Sequence, residues 1–171
     1  MLDNRKVIID EEGLIADTDS VLYVSSAATV DGVAKTFDTG GGYTEGMLAI
    51  DISQVAYASA ASYHKGIDII LQGSNTAAGA FTEYVPLAKL GCDGTAATAT
   101  DAGTDANGIP LRGNISGTTL GSIDTGRYLI PFHNDFKGTV YRYLRIYTKF
   151  YGTASATGGT NITFKAYLSK R

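Results

Sequence analysis

Two segments near the C-terminal end of the chain alternate apolar and polar side chains. In residues 161–168 one side carries Ile162, Phe164, Ala166 and Leu168, and the other carries Asn161, Thr163, Lys165 and Tyr167. In residues 140–151 one side carries Leu144, Ile146 and Phe150, and the other carries Tyr143, Arg145, Tyr147, Lys149 and Tyr151. A period of two residues predicts β-strands.

The same criterion, with glycine-rich turns between the segments, predicts about eight strands. They are Lys6–Asp10, Val21–Ser25, Gly46–Ile52, Gly66–Gln72, Phe81–Leu87, Arg127–Phe132, Val140–Tyr151 and Asn161–Leu168. Residues 53–64 remain open between a helix and a continuation of the preceding strand. Because strands do not alternate with helices, we predict an all-β fold, a jelly-roll-like antiparallel β-sandwich. Pro86 and Pro131 are expected at an edge, a bulge or a strand end.

The length of 171 residues predicts a single domain, 1–171, with two unusual segments. Residues 1–20 contain the apolar cluster Val7, Ile8 and Ile9 among acidic residues, either as a strand that covers the sheet or as an arm that contacts a neighbour. Residues 91–126 contain no aromatic residue and are predicted to be a long polar loop. Loops of this length are usually functional or disordered.

Composition and charge restrict the function. Only 18% of residues are charged, which suits a surface that packs against other subunits. No apolar run is long enough for a membrane span and no secretory signal is visible, which predicts a soluble protein made in the cytoplasm. With Cys92 alone, no intrachain disulfide can form.

The formal charge of −3 conceals an uneven distribution. Residues 1–126 contain 6 Lys and Arg against 16 Asp and Glu, and residues 127–171 contain 8 against 1, so the two parts carry −10 and +7. Either early and late strands interleave and the charges neutralise each other within one molecule, or a basic face docks on an acidic partner. That face would comprise Arg142, Arg145, Lys149 and Lys165. The acidic chain as a whole argues against nucleic acid as a partner.

Known catalytic and metal-binding patterns are missing from the sequence. His64, His133 and Cys92 have no catalytic partner nearby in the sequence, and the segment Asp105–Gly108 lacks the first and last ligands of a calcium loop. Phosphate-binding, nucleophile-elbow and zinc motifs are not found. We therefore expect no enzymatic activity, no cofactor and no metal, and a function that depends on surfaces.

The outer side of the segment Val140–Tyr151 is the best candidate for such a surface. Tyrosine and arginine are enriched at the energetic centres of protein interfaces. The candidate contact residues are Tyr141, Tyr143, Arg145, Tyr147, Lys149 and Tyr151. Alternatively, these tyrosines pack across strands within the monomer.

Four segments in order resemble the jelly-roll capsid cement, or decoration, proteins of tailed bacteriophages. They are Ile67–Ser74, Gly126–Phe132, Val140–Tyr147 and Phe164–Leu168. The resemblance implies a virion structural protein on the capsid surface that bridges major capsid subunits, self-associates as a homodimer or other small oligomer, and has no catalytic residues, nucleic acid or membrane partner. If residues 1–20 form an arm that contacts a neighbour, Val7, Ile8 and Ile9 are its candidate contact residues.

A second class remains open. Residues 71–75 and 142–146 also resemble discoidin-like jelly-roll modules, which implies binding to a carbohydrate or a host receptor. Such modules usually display tryptophan or other aromatic residues on their loop tips, and this chain contains no tryptophan.

Overall fold

The computed structural model describes residues 13–18, 22, 25–56, 66–76, 84–93, 125–151 and 161–170. These residues form thirteen β-strands and no helix. The strands are β1 (Leu14–Asp17), β2 (Ser26–Ala27), β3 (Thr29–Val30), β4 (Val33–Ala34), β5 (Phe37–Asp38), β6 (Glu45–Ala56), β7 (Gly66–Ser74), β8 (Val85–Asp93), β9 (Gly126–His133), β10 (Asp135–Phe136), β11 (Thr139–Val140), β12 (Tyr143–Tyr151) and β13 (Asn161–Lys170).

Two antiparallel sheets make up most of the described structure. Sheet I has the order β1-β13-β6-β9, and sheet II has the order β2-β12-β7-β8, with the short β5 also paired to β12. Two small hairpins, β3–β4 and β10–β11, complete the described strands.

A single hydrophobic core lies between the two sheets. Sheet I contributes the fully buried Leu48, Ile50 and Phe164, and sheet II contributes the fully buried Ile69 and Ile146. Because alternate residues of each strand point inward, each sheet buries one face in this shared core. The prediction of an all-β sandwich is therefore confirmed.

The long predicted strands are present with shifted ends. The strand predicted over Gly46–Ile52 extends to Ala56, which settles residues 53–56 as strand and leaves 57–64 outside the described residues. The strands predicted at Gly66–Gln72, Arg127–Phe132 and Asn161–Leu168 are confirmed within two residues at each end.

Three strand predictions need correction. Of the strand predicted at Phe81–Leu87, residues 81–83 lie outside the described residues, and the described strand β8 runs over Val85–Asp93. The start of the predicted long loop, residues 91–93, is therefore strand instead. The prediction at Val21–Ser25 is wrong for Ser25, because pairing with β12 begins at Ser26. Within the predicted range, Leu22 forms an isolated bridge to Ile162. The predicted strand Lys6–Asp10 is not among the three corrections, because it lies outside the described residues.

The third correction concerns the beginning of the strand predicted at Val140–Tyr151. Thr139 and Val140 belong to the β10–β11 hairpin, and β12 begins at Tyr143. Lys137 and Gly138 connect the hairpin with φ angles of 52° and 79°. Two consecutive residues with positive φ form the type I′ turn that suits two-residue hairpins, so the chain reverses here before β12 begins.

Strand β1 was not predicted from the sequence. A register shift between Leu14 and Ala16 marks a β-bulge, and Ile15 and Ala16 are both buried. The bulge breaks the alternation on which the prediction depends.

Prolines occupy the expected positions. Pro131 lies in β9 and Pro86 in β8, the terminal strands of sheets I and II in the described structure. Pro86 also adjoins the register shift between Leu71 and Gln72. Edge strands tolerate proline because one side of the strand needs no ladder donor.

Asn134 joins two loops just before β12. Its Nδ2 donates to the carbonyl oxygens of Gly42 at 2.8 Å and Tyr141 at 2.9 Å, and its Oδ1 accepts from the backbone N–H of Thr44 at 2.7 Å. The residue is fully buried. Its buried amide therefore bonds three backbone groups of two loops, and it fixes the chain that enters β12.

The substitution Asn134→Ala tests this role. Loss of these hydrogen bonds should lower the free energy of unfolding by about 1–3 kcal/mol, measured by urea denaturation. The exposed Thr139→Ala serves as the control and should change it by less than about 0.5 kcal/mol. Equal stability of the two variants would contradict the role of Asn134.

Candidate functional site

The outward face of β12 carries four of the six candidate contact residues. Tyr143, Arg145, Tyr147 and Lys149 alternate with the inward-facing Leu144, Ile146, Thr148 and Phe150. Across the strand pair they lie opposite Ser74, Gln72, Ile70 and Asp68 of β7, respectively. The period-two pattern of the sequence therefore places these four side chains on one surface.

Arg145 is the centre of an aromatic cluster on this surface, formed by Tyr84, Arg145 and Tyr147. Its Cζ lies 5.6 Å from the ring centroid of Tyr84 and 5.6 Å from that of Tyr147. The two rings are stacked, with centroids 6.5 Å apart and an angle of 19°. Arg145 Nε also donates to Gln72 Oε1 at 2.8 Å. Cation–π contacts and a hydrogen bond thus hold the guanidinium in one position.

Partial burial lowers the pKa of Arg145, while the phenol groups of Tyr84 and Tyr147 act in the opposite direction. The guanidinium remains protonated in proteins. The cluster therefore presents a charge that has already lost part of its hydration, next to Tyr84, which is 49% exposed. Binding a partner here costs less desolvation and less side-chain entropy than binding through a mobile arginine.

A buried ion pair lies on the same face of sheet II. Lys89 Nζ is 2.7 Å from Asp68 Oδ2, and the two side chains are 7% and 6% exposed. Asp68 lies directly across from Lys149 in the register of β7 and β12. Among the described outward residues of sheet II, two carboxylates, Asp38 and Asp68, accompany three cations, Lys89, Lys149 and Arg145, so this face carries a positive excess.

The basic face proposed from the sequence is not a single surface. Lys165 lies on sheet I, where its Nζ contacts Asp17 Oδ2 at 2.7 Å, whereas Arg145 and Lys149 lie on sheet II. Arg142 forms two hydrogen bonds of 2.9 Å to Asp38, and these raise the pKa of its guanidinium. The strands carrying these cations belong to different sheets, which sequence position alone could not show.

Interleaving of early and late strands explains part of the uneven charge distribution. Three ion pairs join an acid from the first part of the chain to a cation from the last part: Asp17–Lys165, Asp38–Arg142 and Asp51–Arg127. Neutralisation within one molecule is therefore confirmed for these three pairs.

Tyr141 does not share the outward face of β12. A Cβ added to Gly73, whose partner Leu144 points into the core, would lie 2.9 Å from Tyr141 Cβ and 2.7 Å from Leu87 Cδ1. Tyr141 thus packs beside the inward side of β7, because the chain is not yet in β12 at this residue. Any residue other than glycine at position 73 would collide with it.

Two other candidates have limited structural descriptions. The backbone of Tyr151 pairs with Gly66 at the end of β12. The candidate arm contacts Val7, Ile8 and Ile9 lie outside the described residues, as do His64, Asp105 and residues 94–124 of the predicted loop.

Sequence reasoning missed Tyr84, Gln72, Asp68 and Lys89 as parts of this surface. Each lies far from β12 in the sequence and reaches it only through the pairing of β12 with β7 and of β7 with β8. These neighbouring strands could not be identified from the sequence without the sheet order.

His133 is the one catalytic candidate of the sequence whose side chain lies in the described part of the structure. It is exposed at the end of β9 and stacks on Tyr43, with ring centroids 6.5 Å apart. Within the described ranges, no group of three or more His, Cys, Asp or Glu residues is arranged to hold a metal ion. A search of the same ranges for a helix long and apolar enough to cross a membrane finds none.

Comparison of the chain with protein-family models, with curated proteins and with solved structures finds no match.

Removing one partner of the buried ion pair Asp68–Lys89 tests whether the pair stabilises sheet II beside the contact residues of β12. Asp68→Leu leaves the Lys89 ammonium buried without its carboxylate and should lower the free energy of unfolding by about 3–5 kcal/mol. Adding Lys89→Met to that variant should recover most of the loss, since two apolar side chains replace the pair. Urea denaturation measures both, and a single substitution as harmless as the double one would show that the pair is not buried.

Proposed function

We propose that this protein is a virion structural protein that binds the outside of an assembled bacteriophage capsid and stabilises it by bridging major capsid subunits. The protein is made in the host cytoplasm and acts on the capsid surface, without nucleic acid, membrane or cofactor. The observation that carries the proposal is the aromatic cluster on the outward face of β12, together with the resemblance of the sequence to capsid cement proteins.

We also propose that the sandwich is a jelly roll. Apart from the short β5, the two sheets contain eight strands, which in chain order are β1, β2, β6, β7, β8, β9, β12 and β13. The first pairs with the eighth, the second with the seventh, the third with the sixth and the fourth with the fifth. One long antiparallel hairpin gives these pairs, and folding it over adds β13–β6 and β12–β7. This nested order supports the proposed jelly roll.

The aromatic cluster suits an adhesive role. Tyrosine and arginine dominate the energetic centres of protein interfaces, and Arg145 and Tyr147 lie on a rigid strand in the middle of sheet II. The electropositive face favours an acidic surface on the capsid subunit and directs the register of docking more than it adds affinity.

Stabilisation of the shell follows from mass action. A protein that binds the assembled lattice and not the free subunits shifts the equilibrium toward the lattice. A bivalent protein that contacts two capsomers gains further, because the second contact forms at high effective concentration. Each contact can therefore be modest in area.

Charge reversal on the face tests the proposal. Arg145→Glu should weaken co-sedimentation with capsid shells that lack the protein by about 30-fold, because it removes both cation–π contacts and opposes the partner's charge. Lys137→Glu, the same charge change at the tip of the β10–β11 hairpin, should bind as the unaltered protein does. The exposed Lys149→Glu provides a second variant on the face if Arg145→Glu lowers the melting temperature.

Two outcomes would contradict the proposal in different ways. If the unaltered protein neither binds shells nor raises their rupture temperature, the capsid function is wrong, and binding on a glycan array would then favour the discoidin-like alternative. If the unaltered protein binds shells, and Arg145→Glu and Lys149→Glu bind them as tightly as it does, the contact surface lies elsewhere.

A further inference from the structure

The outward face of sheet I carries a row of alternating charges that crosses all four strands. Asp17 of β1 lies opposite Lys165 of β13, which lies opposite Asp51 of β6, which lies opposite Arg127 of β9. We call these four residues the ion row. Its signs are negative, positive, negative, positive.

The ion row is ordered within one molecule, and three of its four side chains are accessible. Arg127 donates from Nε and a terminal nitrogen to the two oxygens of Asp51, both at 2.6 Å. The side chains of Lys165 and Arg127 remain 51% and 45% exposed, that of Asp51 remains 30% exposed, and that of Asp17 is only 12% exposed. All four charges are therefore held in place, and the three on β13, β6 and β9 remain accessible.

A second row runs parallel to the ion row and is apolar. Leu14, Tyr167, Ala49 and Leu129 lie opposite one another in the same strand order, and we call them the tyrosine row. The β-bulge of β1 places both Leu14 and Asp17 on the outward face, so both rows span four strands. Leu129 remains 44% exposed, whereas Ala49 is only 1% exposed. The exposed Pro131 and the half-buried Met47 extend the apolar surface beyond this row.

Both rows are complementary to themselves under one particular two-fold rotation. Two copies can be stacked through the outward faces of their sheets I. A two-fold axis that lies between these two stacked faces and runs parallel to the strands reverses the strand order of the second copy relative to the first. Asp17 then faces the second copy's Arg127, and Lys165 faces the second copy's Asp51. In the tyrosine row, Tyr167 lies over the position of the second copy's Ala49, which its own molecule already covers, and Leu14 faces Leu129.

A two-fold axis that crosses the strands at the ion row is unfavourable. It keeps the strand order, so each member of the ion row would face its own copy. Four like-charge contacts would result, and like charges placed opposite each other disfavour association. The ion row therefore favours the axis along the strands over this crosswise axis.

We propose that the outward face of sheet I is an isologous interface for a second copy of this chain, with the two-fold axis between β13 and β6. A cyclic dimer of this kind uses the same patch on both copies. The patch spans four strands about 4.8 Å apart and three rows of residues about 7 Å apart, namely the ion row, the tyrosine row and the row of Met47 and Pro131. Its size is therefore roughly 20 Å by 20 Å. That size lies at the small end of specific interfaces, so a dissociation constant in the micromolar range is expected.

The proposed dimer rests on the proposed function and deepens it, because a back-to-back dimer carries its two β12 faces on opposite sides and can bridge two capsomers when it stands between them. Its test uses no capsid shells, so the two proposals can fail separately.

Sedimentation velocity over a concentration series measures the self-association. The unaltered protein should change from monomer to dimer as its concentration rises to about 200 µM, as a micromolar constant requires. Leu129→Glu should raise the dissociation constant at least about 10-fold, because it buries a carboxylate beside Leu14 of the second copy. Val33→Glu, at a residue that is 68% exposed on the β3–β4 hairpin, is the matched control and should dimerise normally.

Charge-complemented variants test the symmetry itself. An acidic variant combines Lys165→Glu with Arg127→Glu, and a basic variant combines Asp17→Lys with Asp51→Lys. Each should sediment as a monomer alone, and an equimolar mixture should form a heterodimer, because every facing pair again joins opposite charges.

The proposal is overturned if the unaltered protein stays monomeric throughout the series, if Leu129→Glu dimerises as tightly as Val33→Glu, or if the two folded charge variants do not associate when mixed. Circular dichroism melting establishes that the variants are folded. If either charge variant does not fold, the comparison of Leu129→Glu with Val33→Glu decides the question.

Discussion

The burial of two apolar sheet faces against each other is the interaction on which every other feature depends. Phe164 and Ile50 of sheet I and Ile146 and Ile69 of sheet II are fully buried in one core. Alternation along each strand then sends the intervening residues outward. The aromatic cluster on sheet II and the ion row on sheet I are therefore direct consequences of how the core is filled, and both lie on rigid strands.

The two outward faces differ in a way that suits two kinds of contact. Sheet II presents a partly dehydrated arginine, stacked tyrosines and an excess of positive charge, which suits a partner of different chemistry. Sheet I presents balanced charges and an apolar row that match their own copy. A dimer joined through one face carries two copies of the other face, and two such contacts allow modest interfaces to reinforce a shell.

The sequence predicted the fold class and the outward set Tyr143, Arg145, Tyr147 and Lys149, because a period of two determines both strand and face. It could not identify Tyr84 or Gln72 as neighbours of Arg145, since sheet order is a long-range property. The bulged strand β1 was missed because two consecutive buried residues hide the alternation. The Asp31-Gly32 and Lys137-Gly138 turns, with positive φ at all four residues, were available signals for the two small hairpins.

Hydroxyl-radical footprinting of the protein, free in solution and bound to capsid shells, tests the central claim most directly because it needs no substitution. The account predicts that Tyr143, Tyr84 and Tyr147 lose reactivity on the shells, whereas Tyr43, which is 60% exposed and lies outside sheet II, keeps it. Unchanged reactivity of Tyr143, Tyr84 and Tyr147 on saturated shells would contradict the account.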